Sequence, residues 1–366
     1  MKIYYLTYQD FPANTANSQQ TISTCKELSR KDIEVKLLFP LRSFKSNDSF
    51  DQIKSHYQIE GVKFQTKGLP HKRNFESRHF KRLNFLISHI SWSFSSVKFV
   101  SKNYEAPFCF ITRSEWVFYF LCKKNLYTIF ECHKLTYLRK LILKNIIKNS
   151  NAKILFTNQE LKNSININQK YKNRLLVQNN GYDSDFFYSL ENKDKKTVVY
   201  SGSLQRLGRD RNLKFIFDAF NDPRLSTFQL KVFGGTEKEV KYFKQQYSTA
   251  KNVSFFGYVT KKELSKYLAK SEIAILTSGR DDFSMFYTDP IKYYEYSASG
   301  LKIVASDFPS HKALKKYGNM LFFGDQDAES FIKSILEIHK NNLDKNFEKL
   351  IPSTTQRINN FLKFIN

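Results

Sequence analysis

A chain of 366 residues with 41% hydrophobic and 25% charged content has room for two cores of ordinary domain size and the composition of a soluble globular protein. Its 59 Lys and Arg against 34 Asp and Glu give a formal charge of +25, which directs attention to anionic partners: nucleic acid, sugar nucleotides, polyanionic glycans or acidic lipid surfaces. No apolar run approaches the roughly 18 residues of a membrane span, and Cys25, Cys109, Cys122 and Cys132 lack a metal-ligand spacing, so a spanning helix and a structural zinc are both excluded as expectations.

The charge is uneven. Residues 51–150 hold 18 basic against 6 acidic side chains, so a partner that docks on the first half is expected rather than a uniform coat. The four cysteines fit a reduced interior. The opening MKIYYLTYQD starts directly on a strand without a charged and then apolar leader, and a cytoplasmic protein lying on the inner face of the membrane is expected.

In chain order, Lys2–Tyr8 is a predicted strand, Phe11–Asn17 a polar loop, Ser18–Ser29 a helix with Ile22, Cys25 and Leu28 on one face, and Val35–Phe39 a second strand. Such β-loop-α-β units build parallel sheets covered by helices, with ligands at the carboxyl ends of the strands. Residues 43–75 are polar and basic and are expected to be irregular. Arg78–Lys102 is a predicted helix with apolar stripes at Leu83, Leu86, Ile90, Phe94, Val97 and at Phe85, Trp92, Phe99. One stripe faces the sheet. The other faces a neighbouring helix or a membrane interface, which Arg78, Lys81 and Arg82 also suit. Strands follow at Phe108–Thr112, Thr128–Cys132, Lys153–Thr157 and Leu175–Gln178, with a basic helix over Lys134–Lys148.

Asn179-Asn180-Gly181-Tyr182-Asp183 is rich in turn formers and leaves the first domain, and the polar run Glu191–Lys196 reads as a linker. A second β/α series begins at Thr197: strands at Thr197–Ser201, Phe228–Phe233, Val253–Tyr258 and Ile273–Leu276, helices at Leu213–Asn221, Glu237–Tyr247, Lys262–Lys270 and Ser330–His339. A last helix, Ser353–Ile365, is long enough to cross back onto the first domain. The expected organisation is residues 1–190, residues 191–345, and a C-terminal segment 346–366 returning to the first part.

The stretch Tyr287–Asp307, YTDPIKYYEYSASGLKIVASD, carries the strongest chemistry. Asp289 as N-cap and Pro290 in the first turn predict a helix through Glu295 that ends at Ser299-Gly300, followed by the strand Leu301–Ser306. The helix N-terminus suits a diphosphate, and a carboxylate about a turn and a half deeper suits two vicinal ribose hydroxyls. The alternative is a surface αβ unit with a solvated Glu.

Three segments, LVQNNGYDSDFF, VSFFGYVTKKELSKYLAKSEIAILTS and DPIKYYEYSASGLKIVASD, together resemble the retaining glycosyltransferases of family 4 over residues 175–310. That resemblance implies two facing Rossmann-like domains (GT-B), an acceptor-binding one first and a nucleotide-sugar-binding one second. It places Glu295 at the second acidic residue of the family's E-x7-E signature, while Tyr287 stands where the first would be. It assigns Ser203, Gly234, Tyr258, Thr288, Lys292 and Glu295 to the donor, His133, Arg206, Arg209 and Arg211 to catalysis, and Asn14, Asn17 and Arg113 to the acceptor. A solvated basic loop, a structural His133 and a plain turn at Gly234-Gly235-Thr236 are the corresponding alternatives. Asp289 stands close enough to oppose an anion.

The reaction implied is retaining transfer of a hexose, of glucose or glucuronic acid type, from a nucleotide-diphosphate sugar, UDP-sugar first, to a hydroxyl. Negative charge grows on the leaving diphosphate, whose oxygen takes the acceptor proton, and neither cofactor nor metal is obligatory. The expected acceptor is a membrane lipid such as diacylglycerol, on an anionic membrane surface reached through Trp92, Trp116 and the basic side chains. The alternative acceptor is a growing surface polysaccharide or lipopolysaccharide, with a UDP- or GDP-sugar. A non-enzymatic nucleic-acid-binding protein is a remote third reading, since no DNA or RNA module is present.

Overall fold

The computed structural model describes residues 1–43, 46–71, 81–103, 105, 108–206, 209–247, 250–341 and 350–366, without the side chains of residues 81, 82, 206, 209 and 317. The chain divides into two compact units, Met1–Asn179 with Ile358–Asn366, and Asn180–Arg357. The first division falls at the asparagine-rich turn, earlier than residue 190.

Unit 1 runs β1 (Lys2–Leu6), α1 (Ala16–Ser29), β2 (Glu34–Leu41), α2 (Phe50–Tyr57), β3 (Gln65–Pro70), α3 (Lys81–Asn103), β4 (Cys109–Thr112), α4 (Glu115–Lys123), β5 (Thr128–Cys132), α5 (Tyr137–Ile146), β6 (Ala152–Phe156), α6 (Gln159–Asn163) and β7 (Leu175–Val177). The strands form one parallel sheet in the order β3-β2-β1-β4-β5-β6-β7. The period of two along β1 decides its packing. Ile3 and Tyr5 join Ile22, Cys25 and Leu28 of α1, whereas Tyr4 and Leu6 join Trp92, Val97 and Val100 of α3. Side-chain caps start the helices: Thr15 for α1, Ser114 for α4, Thr136 for α5 and Asn158 for α6 each accept a backbone N–H.

Two expectations for this unit are corrected. Residues 43–75 hold α2 and β3, which were hidden because β3 is an edge strand that buries only Gly68 and Leu69 and α2 buries only Ile53. The two stripes of α3 do not behave as units: Trp92 and Val97 are buried, while Leu83, Phe85, Ile87 and Phe94 are exposed. Its Ser93, Ser96 and His89 are buried instead, because small polar residues let the helix lie close to α4 and to Ser114. Arg78 lies outside the described residues, as do the side chains of Lys81 and Arg82.

Unit 2 runs β8 (Asp194–Ser201), the short pair β9 (Gln205–Arg206) and β10 (Arg209–Asp210), α7 (Lys214–Ala219), β11 (Gln229–Phe233), α8 (Glu237–Gln246), β12 (Val253–Gly257), α9 (Lys261–Lys270), β13 (Ser271–Leu276), a π-helical turn (Phe283–Tyr287), α10 (Ile291–Ala298), β14 (Lys302–Ser306), α11 (Pro309–Lys312), β15 (Met320–Phe323), α12 (Ala328–Lys340) and α13 (Thr354–Ile365). Its parallel sheet has the order β12-β11-β8-β13-β14-β15. Capping boxes, Thr236 with Glu239 and Thr260 with Glu263, start α8 and α9.

The expected linker Glu191–Lys196 is partly strand, because β8 begins at Asp194, whose neighbour Lys196 donates its backbone N–H to the buried Glu272 carboxylate at 2.7 Å. Residues from Ile358 onward in α13 belong to unit 1. There Ile358, Phe361 and Ile365 join the α1 core, and Tyr127 donates its hydroxyl to the Ile365 carbonyl at 2.9 Å.

Candidate functional site

In unit 2 the carboxyl ends of β8, β11, β12, β13 and β14 carry the residues singled out by the sequence. Switch-point loops of parallel sheets are where ligands dock, because the helices that follow point their N-termini there. Helix α10 is held by Tyr293, Tyr294 and Tyr296, all fully buried, each worth about 1.5–3 kcal/mol if counted as a large apolar side chain. Gly300, at φ +66, ends the helix in the left-handed conformation that a side chain would resist.

Lys292 and Glu295 stand one turn apart on α10 and share a face. The Lys292 ammonium donates to the Thr277 carbonyl oxygen at 2.7 Å and lies 4.5 Å from the centre of the Tyr200 ring. Tyr200 in turn donates its hydroxyl to the Ser203 carbonyl at 2.9 Å, and Arg211 Nη1 donates to Ser203 Oγ at 2.8 Å. Ser203 thus joins the loop after β8 to Arg211. Thr277, fully buried after β13, donates to the Arg211 carbonyl at 3.4 Å and accepts from Ser306 Oγ at 2.9 Å.

The electrostatics of this group are unbalanced. Burial first, and the Arg211 charge second, hold the Lys292 amine well below the usual lysine range, with Glu295 pulling the other way. Arg211 Nε is buried without a hydrogen-bond partner among the described residues. Glu295 is only 8% exposed, and its carboxylate accepts no hydrogen bond from the described residues. Burial raises its pKa; Lys261 opposes this, Asp183 adds to it and Lys292 opposes it. Two clustered cations beside a helix start call for an anion, and an unpaired carboxylate one turn deeper calls for hydroxyl donors.

Two glycine loops close over the same strand ends. Gly202 donates its N–H to the Phe233 carbonyl at 3.0 Å and Gly234 donates to the Gly257 carbonyl at 2.6 Å. Tyr258 follows Gly257 and is 52% exposed. Thr288 donates its hydroxyl to the Ser284 carbonyl at 2.8 Å.

The expected N-cap role of Asp289 is corrected. Pro290 occupies the N-cap position without a side-chain cap, which leaves Asp289 one residue too early to reach the first turn. Its carboxylate instead accepts from the Tyr294 hydroxyl at 2.6 Å and from the Asn180 backbone N–H, and its carbonyl accepts from Asn180 Nδ2. Asp289 is therefore engaged in holding the asparagine turn.

Arg206 and Arg209 lie on the β9–β10 pair, with side chains outside the described set; among the described side chains of this loop Arg211 is placed beside Lys292. Sequence reasoning missed Thr277, Ser306 and His311, which surround the cation pair. His311 is fully buried, donates its Nδ1–H to the Ser306 carbonyl at 3.0 Å, and has its pKa pushed down to about 4, chiefly by burial. It also missed Lys261, paired with the buried Asp183 at 3.9 Å; both act on Glu295 and both sit inside segments already notable for their turn and capping residues.

In unit 1, Asn14 is exposed on the loop before α1, Asn17 is exposed in the first turn of α1, and His133 is half-buried after β5. Arg113 is 9% exposed and committed inward. Its Nε donates to Glu131 at 3.0 Å, Tyr5 donates to the same carboxylate, and its Nη1 donates to the Asn17 carbonyl at 3.2 Å. It therefore holds the Asn14–Asn17 loop in place. Among the described residues no group of three or more His, Cys, Asp or Glu side chains is arranged to hold a metal ion.

Residues 182–357 match the family described as glycosyl transferases group 1. The chain is similar in structure to sucrose-phosphate synthase from Thermosynechococcus elongatus, with 15% identity, a TM-score of 0.68, and coverage of 100% of this chain and 96% of that one. It is similar to a lipopolysaccharide outer core galactosyltransferase, with 13% identity, a TM-score of 0.63, and coverage of 100% and 99%. It is also similar to TarM of S. aureus in complex with fondaparinux, α-GlcNAc-glycerol and UDP, with 11% identity, a TM-score of 0.67, and coverage of 100% and 99%. No curated protein matches the chain in sequence. Two Rossmann-like parallel-sheet units with these neighbours define the GT-B fold.

Proposed function

We propose that the protein is a retaining, family 4 hexosyltransferase that uses a UDP-sugar and glycosylates a lipid acceptor such as diacylglycerol at an anionic membrane surface. The observation that carries the reading is the placement of Lys292, with Arg211 beside it, one helical turn from the unpaired, buried Glu295. Lys292, Arg211 and the start of α10 bind the diphosphate, and Glu295 accepts from the ribose hydroxyls. As the bond from sugar to diphosphate breaks, charge grows on the phosphate oxygen, where cations stabilise the transition state more than the ground state. That oxygen takes the acceptor proton on the same face of the sugar. His133, Arg206 and Arg209 assist at the sugar and phosphate, Tyr258 and Gly234 at the nucleoside. The reaction needs no obligatory cofactor, and nucleic acid is not a partner. Supporting UDP, the similar TarM was crystallised with it.

The membrane part of the reading is supported by unit 1. Leu83, Ile87 and Phe94 of α3 and Tyr137, Leu138 and Leu141 of α5 are exposed, and α4 packs against both helices. Lys140 and Lys144 share α5 with them. No described helix is long and apolar enough to cross a membrane. Trp92, expected at the headgroup level, is 3% exposed, so the exposed residues named here take over that role.

The test is nucleotide release from a panel of UDP-glucose, UDP-glucuronate, UDP-galactose and GDP-mannose, with diacylglycerol vesicles or a soluble glycan as acceptor. Release of UDP that requires the vesicles is expected. Release only with the soluble glycan replaces the lipid acceptor by surface-polysaccharide synthesis, and no release from any donor overturns the reading.

A further inference from the structure

Glu295 is steered from two places outside its own helix, both within unit 2. The first is the asparagine turn, which α10 grips near its start. The Asp289 carboxylate accepts from the Tyr294 hydroxyl at 2.6 Å and from the Asn180 backbone N–H, and the Asp289 carbonyl accepts from Asn180 Nδ2 at 2.6 Å. The next residue is tied as well, since Tyr182 donates its N–H to the Pro352 carbonyl at 3.2 Å and accepts from the Thr354 N–H at 2.8 Å. Asp183 is thereby fixed. It is 6% exposed, its Oδ1 accepts from the Asp185 N–H at 3.2 Å, and its carbonyl accepts from the N–H groups of Phe186 and Phe187 at 3.1 and 3.2 Å. Phe187 then packs in one buried cluster with Tyr293, Tyr294 and Tyr296 of α10.

The second place is α9, whose start is set by its capping box: Thr260 Oγ1 accepts from the Glu263 N–H at 3.2 Å, and Glu263 accepts from the Thr260 N–H at 3.0 Å. Lys261 is the first residue of that helix. Its side chain is 18% exposed, with the ammonium 5.8 and 6.0 Å from the Phe186 and Phe187 ring centres. The ammonium stands 3.9 Å from Asp183 Oδ2, close enough for an ion pair and too far for a hydrogen bond.

Of the charges acting on Glu295, Lys261 acts most, Asp183 next and Lys292 least, although Lys292 shares its helix. The charges on the strands beneath α10 do not compete, because Glu272 and Lys302 sit at the opposite strand ends and bind each other at 3.0 Å. The arrangement suits a carboxylate that has to receive a diol. An ammonium hydrogen-bonded directly to Glu295 would consume lone pairs that two hydroxyls need. Held to one side by a second carboxylate, it supplies a favourable field that salt screens little at this depth, and it leaves both oxygens open.

We propose that Asp183 and Lys261 are positioning residues for Glu295: Asp183, clamped against α10, holds the Lys261 ammonium within reach of the carboxylate, and that ammonium keeps Glu295 ionised and open for a ribose diol. This rests on the reading of Glu295 as the ribose acceptor and adds what prepares it.

Two measurements test it. Without ligand, the Glu295 carboxyl is titrated by carbon-13 NMR in a glutamate-labelled chain, its signal assigned by its absence in Glu295→Gln. Lys261→Met is expected to raise the midpoint and Asp183→Asn to lower it. A fold loosened by either replacement would move both midpoints down, toward that of an exposed carboxyl, so the opposite signs separate the two causes. A midpoint unmoved or lowered in Lys261→Met overturns the proposal. With UDP at neutral pH, calorimetry should give a Kd about tenfold higher for Lys261→Met, within about threefold of the parent for Lys261→Arg, and changed less than about twofold when Lys261→Met is made in Glu295→Gln. The Lys261→Met penalty should grow as pH falls from about 8.5 to about 6, since the Lys292 trend is common to both chains. An equal loss in both backgrounds overturns the proposal, because Lys261 would then act on the nucleotide without Glu295. If the parent chain binds no UDP, the ribose reading falls, and the titration midpoints decide whether the pair governs Glu295.

Discussion

A Cβ built on Gly234 would lie 2.2 Å from the carbonyl oxygen of Gly202. Gly234 also sits at φ +100, a backbone region that side chains rarely enter. The loops after β8 and β11 therefore touch backbone to backbone, which brings the start of the Ser203–Arg211 loop over the strand ends. Gly234→Ala must both strain its own backbone, at roughly 1–3 kcal/mol, and push the Gly202 loop away. The variant should lose roughly 2–4 kcal/mol of stability in urea titration and bind UDP more weakly. A midpoint equal to that of the parent chain would show that the loops yield without cost.

Glu295 is held buried and unpaired, an arrangement costly to the fold unless a ligand uses it. Its folded carboxyl has a raised pKa, so between the unfolded and folded values the native state binds more protons. Stability then falls as pH rises through that window. Glu295→Gln removes the titration, and should raise the melting temperature at neutral pH while weakening UDP binding by roughly 1.5–3 kcal/mol, the loss of charged hydrogen bonds. In the parent chain protonation of this carboxylate should weaken UDP binding on acidification, against the strengthening that proton uptake at Lys292 brings; in Glu295→Gln only the Lys292 trend should remain. Calorimetry across pH decides it, and a variant that binds UDP as tightly as the parent removes Glu295 from the ribose site.

Much of unit 2 is legible in the sequence because its signals are local. Thr236 and Thr260 with glutamates three residues on announce helices, short near-continuous apolar runs announce buried strands, and Ser299-Gly300 announces a helix end. What is not legible depends on tertiary register. Nothing near Ser203 in the chain indicates that Arg211 and Tyr200 meet on it, or that Thr277 holds Lys292, since those contacts join different strand ends. Asp289 reads as a cap because its type is right and its neighbour is proline, yet the Asn180 turn, more than a hundred residues earlier, claims it. Edge elements such as β3 stay hidden because half their surface is solvent and their pattern is not that of a core strand.

Burial first, and repulsion by the Arg211 charge second, hold the Lys292 pKa well below the usual lysine range. Because the unfolded chain binds that proton and the native one gives it up more readily, stability should rise with pH from the folded pKa toward 10.5. An anionic diphosphate between the two cations raises the Lys292 pKa again. UDP binding should therefore take up protons, seen as a dependence of the binding enthalpy on the ionisation heat of the buffer. Lys292→Met should abolish the uptake, and Arg211→Ala should reduce it and lower kcat about a hundredfold with a smaller rise in KM. Binding enthalpies identical in all buffers would remove Lys292 from the diphosphate site.

The exposed apolar residues of unit 1 give a prediction about location. Tyr137 is 80% exposed, and Leu138 and Leu141 stand beside it on α5, in a helix that also presents Lys140 and Lys144. Apolar side chains that find no partner within the fold gain by entering the headgroup layer, and each neighbouring lysine adds about 1 kcal/mol at an anionic leaflet. Leu83, Ile87 and Phe94 extend the surface onto α3. The protein should sediment with anionic but not neutral liposomes at low salt and come off as salt rises, since the electrostatic share is screened. Lys140→Glu with Lys144→Glu should raise the apparent Kd roughly tenfold or more, from the loss of about 2 kcal/mol of attraction, and Tyr137→Ser with Leu141→Ser should weaken binding by a similar factor at every salt concentration, leaving the salt dependence in place. Because all four side chains are away from the buried core, the melting temperature should stay within a degree or two of the parent. Binding to anionic liposomes that survives both pairs of replacements would mean that the membrane meets another face of the protein.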